Sequence, residues 1–159
     1  MRIRPLTIDD QPFLWKALYY AIHVPPGEAE PSPEIVKEPN IRRYAIGWMK
    51  SPDDSGFVAI LDAMPVGAAW LRRWSGGERG YGFVDEEIPE LSMSLLPGYR
   101  GRGIGTKLLR HLLSEAEKRY AAISLSVSES NPARRLYERE GFNVIGKPEG
   151  GSIKMVRQY

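Results

Sequence analysis

The sequence predicts a single-domain α+β (mixed α/β) fold, on three observations. Its 159 residues set an expectation of one domain, residues 1–159. Helical and extended stretches follow one another in the order β-α-α-β-β-β-α-β-α-β-β, the pattern of a sheet covered by helices. Finally, a strictly alternating run, Leu91-Ser92-Met93-Ser94-Leu95, leads through a glycine-rich turn into a long amphipathic helix. Composition agrees: 42% hydrophobic and 26% charged residues are ordinary for a folded soluble chain, and the 13 Pro and 16 Gly are dispersed.

Residues 2 to 6 form a short β-like run, after which Thr7 and Asp10 make a capping-box-like helix start with Asp in place of Glu. The helix is expected from Ile8 to Ile22, because Phe13, Leu14, Ala17, Leu18, Ala21 and Ile22 share one face, and Pro25 and Pro26 forbid its continuation. From Val24 to Pro39 there is no periodicity, only five prolines and several acids, which marks the stretch as a candidate acceptor lid. Asn40 is placed to cap a second helix running to Lys50.

Residues 57 to 62 and 65 to 74 read as a hairpin around Asp62-Ala63-Met64-Pro65. In the run from 91 to 95 the apolar side chains Leu91, Met93 and Leu95 fall on one face, and Leu96 breaks the alternation as a β-bulge would. Over residues 103 to 119, Ile104, Leu108, Leu109, Leu112, Leu113 and Ala116 form one helical stripe. A strand over 121 to 127, a short helix over 132 to 140 ended by Gly141, and an antiparallel pair, 142 to 146 with 152 to 158, complete the order.

Several function classes recede. Lys and Arg exceed Asp and Glu by 22 − 20 = 2, so the field of a dedicated nucleic-acid binder is missing. Without cysteine there is no disulfide framework, thiolate metal site or cysteine nucleophile, and His23 and His111 alone remain for zinc, so no metal is expected. The start MRIRPLTIDD lacks the apolar core of a signal peptide, and no run approaches the roughly 18 apolar residues of a membrane span. A cytoplasmic protein without membrane partners is the expectation.

The chemistry concentrates in Arg100-Gly101-Arg102-Gly103-Ile104-Gly105-Thr106, between a strand and a helix. Glycines let the backbone turn so that several N–H groups converge on one anion, and the helix N-terminus adds partial positive charge. Arg100 and Arg102 can add charge-assisted bonds, and so many donors suit a diphosphate better than a lone carboxylate. The Walker pattern fails because Thr106-Lys107 follows Gly105 in the wrong order. The dinucleotide fingerprint fails on its G-x-G-x-G spacing and on the missing acid about 20 residues on. A glycine-rich turn with no ligand is the bland alternative.

Here the chain resembles a known family. Arg100-x-x-Gly103-x-Gly105, preceded by Leu95-Leu96-Pro97-Gly98-Tyr99 and followed by Thr106-Lys107-Leu108-Leu109, is similar to the acetyl-coenzyme A motif of the GNAT acetyltransferases. Asn131-Pro132-Ala133-Arg134-Arg135-Leu136-Tyr137-Glu138-Arg139-Glu140-Gly141-Phe142 resembles that family's later helix. Together the motifs span residues 90 to 142, while the first 60 residues resemble the family only in layout.

The resemblance implies a mostly antiparallel twisted sheet with one splayed parallel strand pair, flanked by about four helices. It implies acetyl-coenzyme A as co-substrate, with Arg100 opening a loop in which Gly101, Arg102, Gly103, Ile104, Gly105 and Thr106 donate to its pyrophosphate. Met93, Ser94 and Leu95 would hold the pantetheine arm through unpaired backbone groups, one N–H polarising the thioester carbonyl, a contribution of a few kcal/mol in such sites. Asn131 would face the same arm; it stands six residues before Tyr137, where many members have seven, which leaves Ser130 at that register. Homodimers are frequent in the family, so self-association is a further expectation.

Tyr137 takes the family's role of general acid toward the departing thiolate, a phenol near pKa 10 being matched to a thiol near 8.5. Its bland reading is a tyrosine packed on a helix face. The acceptor amine needs a base, because a lysine-like amine of pKa about 10.4 is free only about once in 2,500 molecules at pH 7. Glu90, at the start of the splayed strand, is the candidate base, acting through water; its alternative is a solvated strand-end carboxylate. Asp85, Glu86 and Glu87 are placed to attract an amine, and Trp48, Trp70, Trp74, Tyr19 and Tyr20 to wall a pocket, although such residues are more often solvated or core. The expected activity is direct transfer of acetyl to a primary amine, of a small molecule, peptide or protein, in a ternary complex. The alternatives are a non-catalytic coenzyme A sensor or interaction module and a nucleotide-binding regulator.

Overall fold

The computed structural model describes residues 1–159 and joins seven strands in one sheet, ordered β1-β2-β3-β4-β5-β7-β6. β1 (Arg2–Pro5), β2 (Ser55–Leu61), β3 (Met64–Arg72) and β4 (Glu90–Leu95) pair antiparallel in succession. β4 and β5 (Ala122–Ser128) are parallel, and beyond β5 the sheet is antiparallel again, through β7 (Ser152–Gln158) to β6 (Asn143–Glu149). The predicted sheet, mostly antiparallel with one parallel pair, is the one observed. Its first hairpin turns on Asp62 and Ala63, whose φ angles of 51° and 65° match the twist of the strands they join.

Each face of the sheet carries its own core. α1 (Gln11–Ala21) lays Leu14, Ala17 and Leu18 on one face, over Val58, Ala68 and Trp70. α3 (Ile104–Ala116) and α4 (Ala133–Arg139) cover the other, where Leu108, Leu109 and Leu112 meet Leu91, Ile123 and Met155. Burying each large apolar side chain is worth about 1.5–3 kcal/mol, so both layers are needed to hold the sheet. The Thr7–Asp10 capping box forms as the spacing predicts, although the first turn, Ile8–Asp10, is a 3₁₀ turn before α1 begins.

The second helix differs from the expectation. α2 spans only Pro39–Arg42, and residues 43 to 49 continue as turns. Side chains of β3 take the carbonyls that a helix would use: the Arg72 guanidinium donates to Arg43 O at 2.8 Å and Ile46 O at 2.6 Å, and Trp70 Nε1 donates to Tyr44 O at 2.9 Å. Gly47 and Met49 then adopt left-handed φ angles of 68° and 69°. Arg72 is itself held by Asp54, 6% exposed, in a pair 3.1 Å apart.

The proline-rich stretch contains a 3₁₀ helix, Pro33–Lys37, which begins at Ser32 and was not foreseen. It is moored to α1 by the Tyr19 hydroxyl, which donates to Pro31 O at 2.6 Å. The bulge expected at Leu96 is also absent: β3 and β4 keep one register, and Leu96 N–H continues it to Val66 O at 2.9 Å. The register shifts lie instead between Ala59 and Ile60 of β2 and between Ile145 and Glu149 of β6. No helix is long and apolar enough to cross a membrane.

Candidate active site

β4 and β5 meet at a single position, Glu90 opposite Ser124, with Ser124 N–H also donating to Pro89 O at 3.0 Å. Past that point they diverge. The edge of β4 that faces β5 is therefore unpaired to β5 beyond Leu91, which opens a wedge of backbone donors and acceptors at Met93 and Leu95.

The chain leaves β4 at Leu95 and reaches α3 through the glycine loop. Gly101 and Gly103 have φ angles of 71° and 81°, and nothing stands within 4 Å of where their Cβ atoms would be. Both are left-handed positions that favour glycine, and both border open space. Gly105 differs: it is buried in the first turn of α3, against Leu95, Leu136 and Met93. The N–H groups from Gly101 to Thr106 donate to no acceptor of the chain, and Gly103 caps α3 with no side-chain bond. This is a row of free donors at the positive end of a 13-residue helix.

The other predicted residues take varied positions. Met93 and Leu95 turn their side chains toward α3 and their backbone groups toward the wedge. Ser94 does not fit the expectation, because its side chain donates to Ala17 O of α1 at 2.6 Å and its backbone, in register with Ala68, is directed at β3. Arg100 folds back, donating to Leu95 O at 3.3 Å and to Tyr20 O at 3.2 Å. Arg102 lies over the Tyr99 ring, 5.4 Å from its centroid. Asn131 accepts from Ala133 N–H at 2.9 Å and so starts α4, with its side-chain amide free. Its neighbour Ser130 shares a hydrogen bond of 3.1 Å with His23 Nε2. The end of α1 is thus braced against both loops that flank the wedge, a contact between residues 107 positions apart that no local pattern signals.

Tyr137 is 7% exposed, packed edge-on against Phe142 at 5.9 Å. Burial alone pushes its pKa up to about 12, and its hydroxyl makes no hydrogen bond within the chain. It is a protonated, uncommitted donor.

Glu90, 3% exposed, accepts from Tyr44 Oη at 2.7 Å and Trp74 Nε1 at 2.9 Å. Burial pushes its pKa up, against the opposing pull of the Tyr44, Trp74 and Gly82 N–H donors. The loop over residues 80 to 83 is fastened here. A Cβ on Gly82 would stand 2.7 Å from Leu125 C and 2.9 Å from Glu90 Cδ, and Tyr81 N–H donates to Tyr44 Oη at 2.7 Å. Tyr44 and Gly82 were not singled out in the sequence; a buried acid needs donors, but their positions 46 and 8 residues away depend on the fold.

The acceptor wall needs correction. Trp48 and Trp70 are core residues under α1, Trp74 belongs to the Glu90 network, and Tyr19 moors Pro31. Of the acid run, Glu87 pairs with Arg73 at 3.3 Å and Asp85 accepts from Glu87 N–H at 2.8 Å, at the end of the sheet away from the glycine loop. A cleft of about 560 Å³ opens instead between residues 81 to 84, Ser126 and the β6–β7 hairpin.

Free amides on the glycine loop, left-handed glycines bordering open space and an unpaired strand edge fit a carrier with a pyrophosphate and an amide-bearing arm. Comparison with known proteins agrees. Residues 15–142 match the model of the acetyltransferase (GNAT) family. A [ribosomal protein bS18]-alanine N-acetyltransferase of Haemophilus influenzae is 40% identical over 76 residues, 43% of this chain and 52% of that one. The match thus spans about half the length of that curated relative. A ribosomal-protein-alanine N-acetyltransferase from Brucella melitensis superposes with a TM-score of 0.65 at 22% identity, over 100% of both chains. PaiA N-acetyltransferase from Thermoplasma acidophilum, in complex with coenzyme A, gives 0.68 at 19% identity, again over 100% of both chains. At these identities the likeness of the solved structures is one of fold.

Proposed function

Because the chain belongs to the acetyltransferase (GNAT) family, we propose that it is an N-acetyltransferase that passes acetyl directly to a primary amine within a ternary complex. The observation that carries this reading is the row of free N–H groups from Gly101 to Thr106 at the mouth of the β4–β5 wedge. Acetyl-coenzyme A supplies the activated acetyl thioester.

The chain's own residues divide the work. The Gly101–Thr106 amides hold the pyrophosphate, with Arg100 keeping the loop against β4 and α1. The backbone of Met93 and Leu95 receives the arm in the wedge, Ser94 between them being paired to β3, and one of their N–H groups polarises the carbonyl. Asn131 offers its unused side-chain amide to the same arm. Tyr137, protonated and without a partner, donates its proton to the departing sulfur. Glu90 takes the proton of the amine through water; its raised pKa brings it nearer the working pH of a base, and three donors on its two oxygens leave one lone pair unused. No covalent enzyme intermediate is needed.

The proposal takes residues 1–159 as one transferase unit acting in the cytoplasm, with β6, an exposed edge strand, as the pairing edge of a homodimer. The direct test follows thiol release from acetyl-coenzyme A over a panel of amines, amino acids and N-terminal peptides. Amine-dependent release with at least one acceptor is expected; tight coenzyme binding with no release across the panel overturns the transferase reading.

A further inference from the structure

We propose that the acceptor is an amine whose own molecule carries an anionic group beside an apolar or aromatic body, a proposal that rests on the N-acetyltransferase reading. The observations come from the cleft beside the wedge and from the register of the sheet beneath it.

Beyond β4 one face of the sheet has no helix over it, since α1 lies on β3 and β4, and α3 and α4 lie on the opposite face. The rows crossing this open face follow from the register. Ser124 stands opposite Val156, and Val156 opposite Asn143; in the next row come Ser126, Lys154 and Ile145. Residues directly opposite in a ladder point to the same side, so Ser126, Lys154 and Ile145 share a floor with Ser124 and, across the β4–β5 contact, with Glu90. Tyr81 and Phe83 form the facing wall.

The cleft is polarised. On the wedge side Glu90 lies outside the lining, buried behind Gly80 and Gly82. At the hairpin end sit two ammonium groups. Lys154 Nζ donates one hydrogen bond, to Phe83 O at 2.8 Å, and keeps two further donors. Lys147 stands where the β6–β7 register is interrupted, and its ammonium has no hydrogen-bond or ion-pair partner in the chain. Both aromatic walls are backed by cations as well: Arg79 lies 4.4 Å from the Phe83 centroid and Arg43 lies 5.0 Å from that of Tyr81. In the lining itself two cations, Lys147 and Lys154, stand against one exposed carboxylate, Glu149.

Such a field repels polyamines and lysine-rich peptides and attracts a molecule that is anionic at one end. Its amine then points toward Glu90 and the wedge, its acid toward Lys147 and Lys154, and its body lies on Tyr81 and Phe83.

The test compares kcat/KM, by thiol release, for pairs that differ only in charge. These are phenylalanine and its amide, 5-aminovalerate and its amide, and 1-amino-2-phenylethylphosphonate to separate phosphonate from carboxylate, with spermidine as cationic control. An advantage of at least tenfold for an acid over its amide is expected, shrinking to threefold or less in Lys147→Gln and Lys154→Gln. Lys147→Gln is the cleaner variant, because Lys154 also holds Phe83. Amides or spermidine used as well as the acids, or a ratio unchanged in both variants, overturn the proposal. Absence of release with every amine overturns the transferase reading instead. Titration calorimetry of the coenzyme A-loaded protein then decides anion recognition independently: N-acetylphenylalanine binding no tighter than its amide overturns it.

Discussion

Tyr137 and Glu90 are both buried, and burial acts on each by disfavouring its charged form. For Tyr137 this keeps the phenol protonated at neutral pH, and only a rise through about pH 12 would remove the acid, so an alkaline limb of kcat/KM below pH 10 belongs to another group. Tyr137→Phe should lower kcat by about 10²-fold or more, in line with loss of a general acid. Coenzyme affinity, read by calorimetry, should be nearly intact, and unchanged kcat would remove Tyr137 from the chemistry. For Glu90 the folded pKa lies above the unfolded one of about 4.3. The stability of its protonated form is complete below the unfolded value and is lost as pH rises through the folded value. In Glu90→Gln that decline should vanish: urea unfolding from pH 4.5 to 7.5 should show wild type losing stability relative to the variant. The slope is the readout, because Gln has one acceptor for three donors and shifts the absolute stability. Both residues were named from the sequence. Their burial was not, because it depends on Phe142, Tyr44, Trp74 and Gly82, which only the fold brings to them.

Among the elements, the stripe of α3 and the glycines that precede it were legible because they are local properties, although the helix ends at Ala116 and residues 117 to 119 form turns. Gly103→Val tests that junction. A branched side chain at φ 81° costs roughly 1–2 kcal/mol of backbone strain and fills the open space where the free amides converge. Coenzyme affinity should fall by tenfold or more in titration calorimetry, and an unaltered affinity would mean that the carrier binds elsewhere. The second helix was not legible. Asn40 and the residues after it read as helical, yet Arg72 and Trp70, about 30 residues on, claim three of its carbonyls. The bulge assigned to Leu96 fails for a related reason: a break in apolar alternation records a change of burial, whereas register is set by the partner strand, and β3 keeps it.

Across the whole molecule, coenzyme and fold are linked. A ligand bound only by the native state stabilises it by about 2.7 kcal/mol at a hundredfold excess over Kd. For a chain of this size that corresponds to a rise in Tm of about 5–10 °C. Differential scanning calorimetry with coenzyme A should show that rise and should lose most of it in Gly103→Val; an unmoved Tm would contradict the cradle. The sequence by itself determined the sheet-and-helix class, the strand-to-helix glycine loop and the residues of two motifs, because periodicity, φ preference and spacing are written within a dozen neighbouring residues. Only the tertiary structure decided where β4 leaves β5, which donors bury Glu90, and that the cleft at the β6–β7 hairpin is lined by Lys147 and Lys154 rather than by the acid run at 85 to 87. Those outcomes depend on pairings between residues up to 71 positions apart, and such pairings are settled by which surfaces the packed layers leave free.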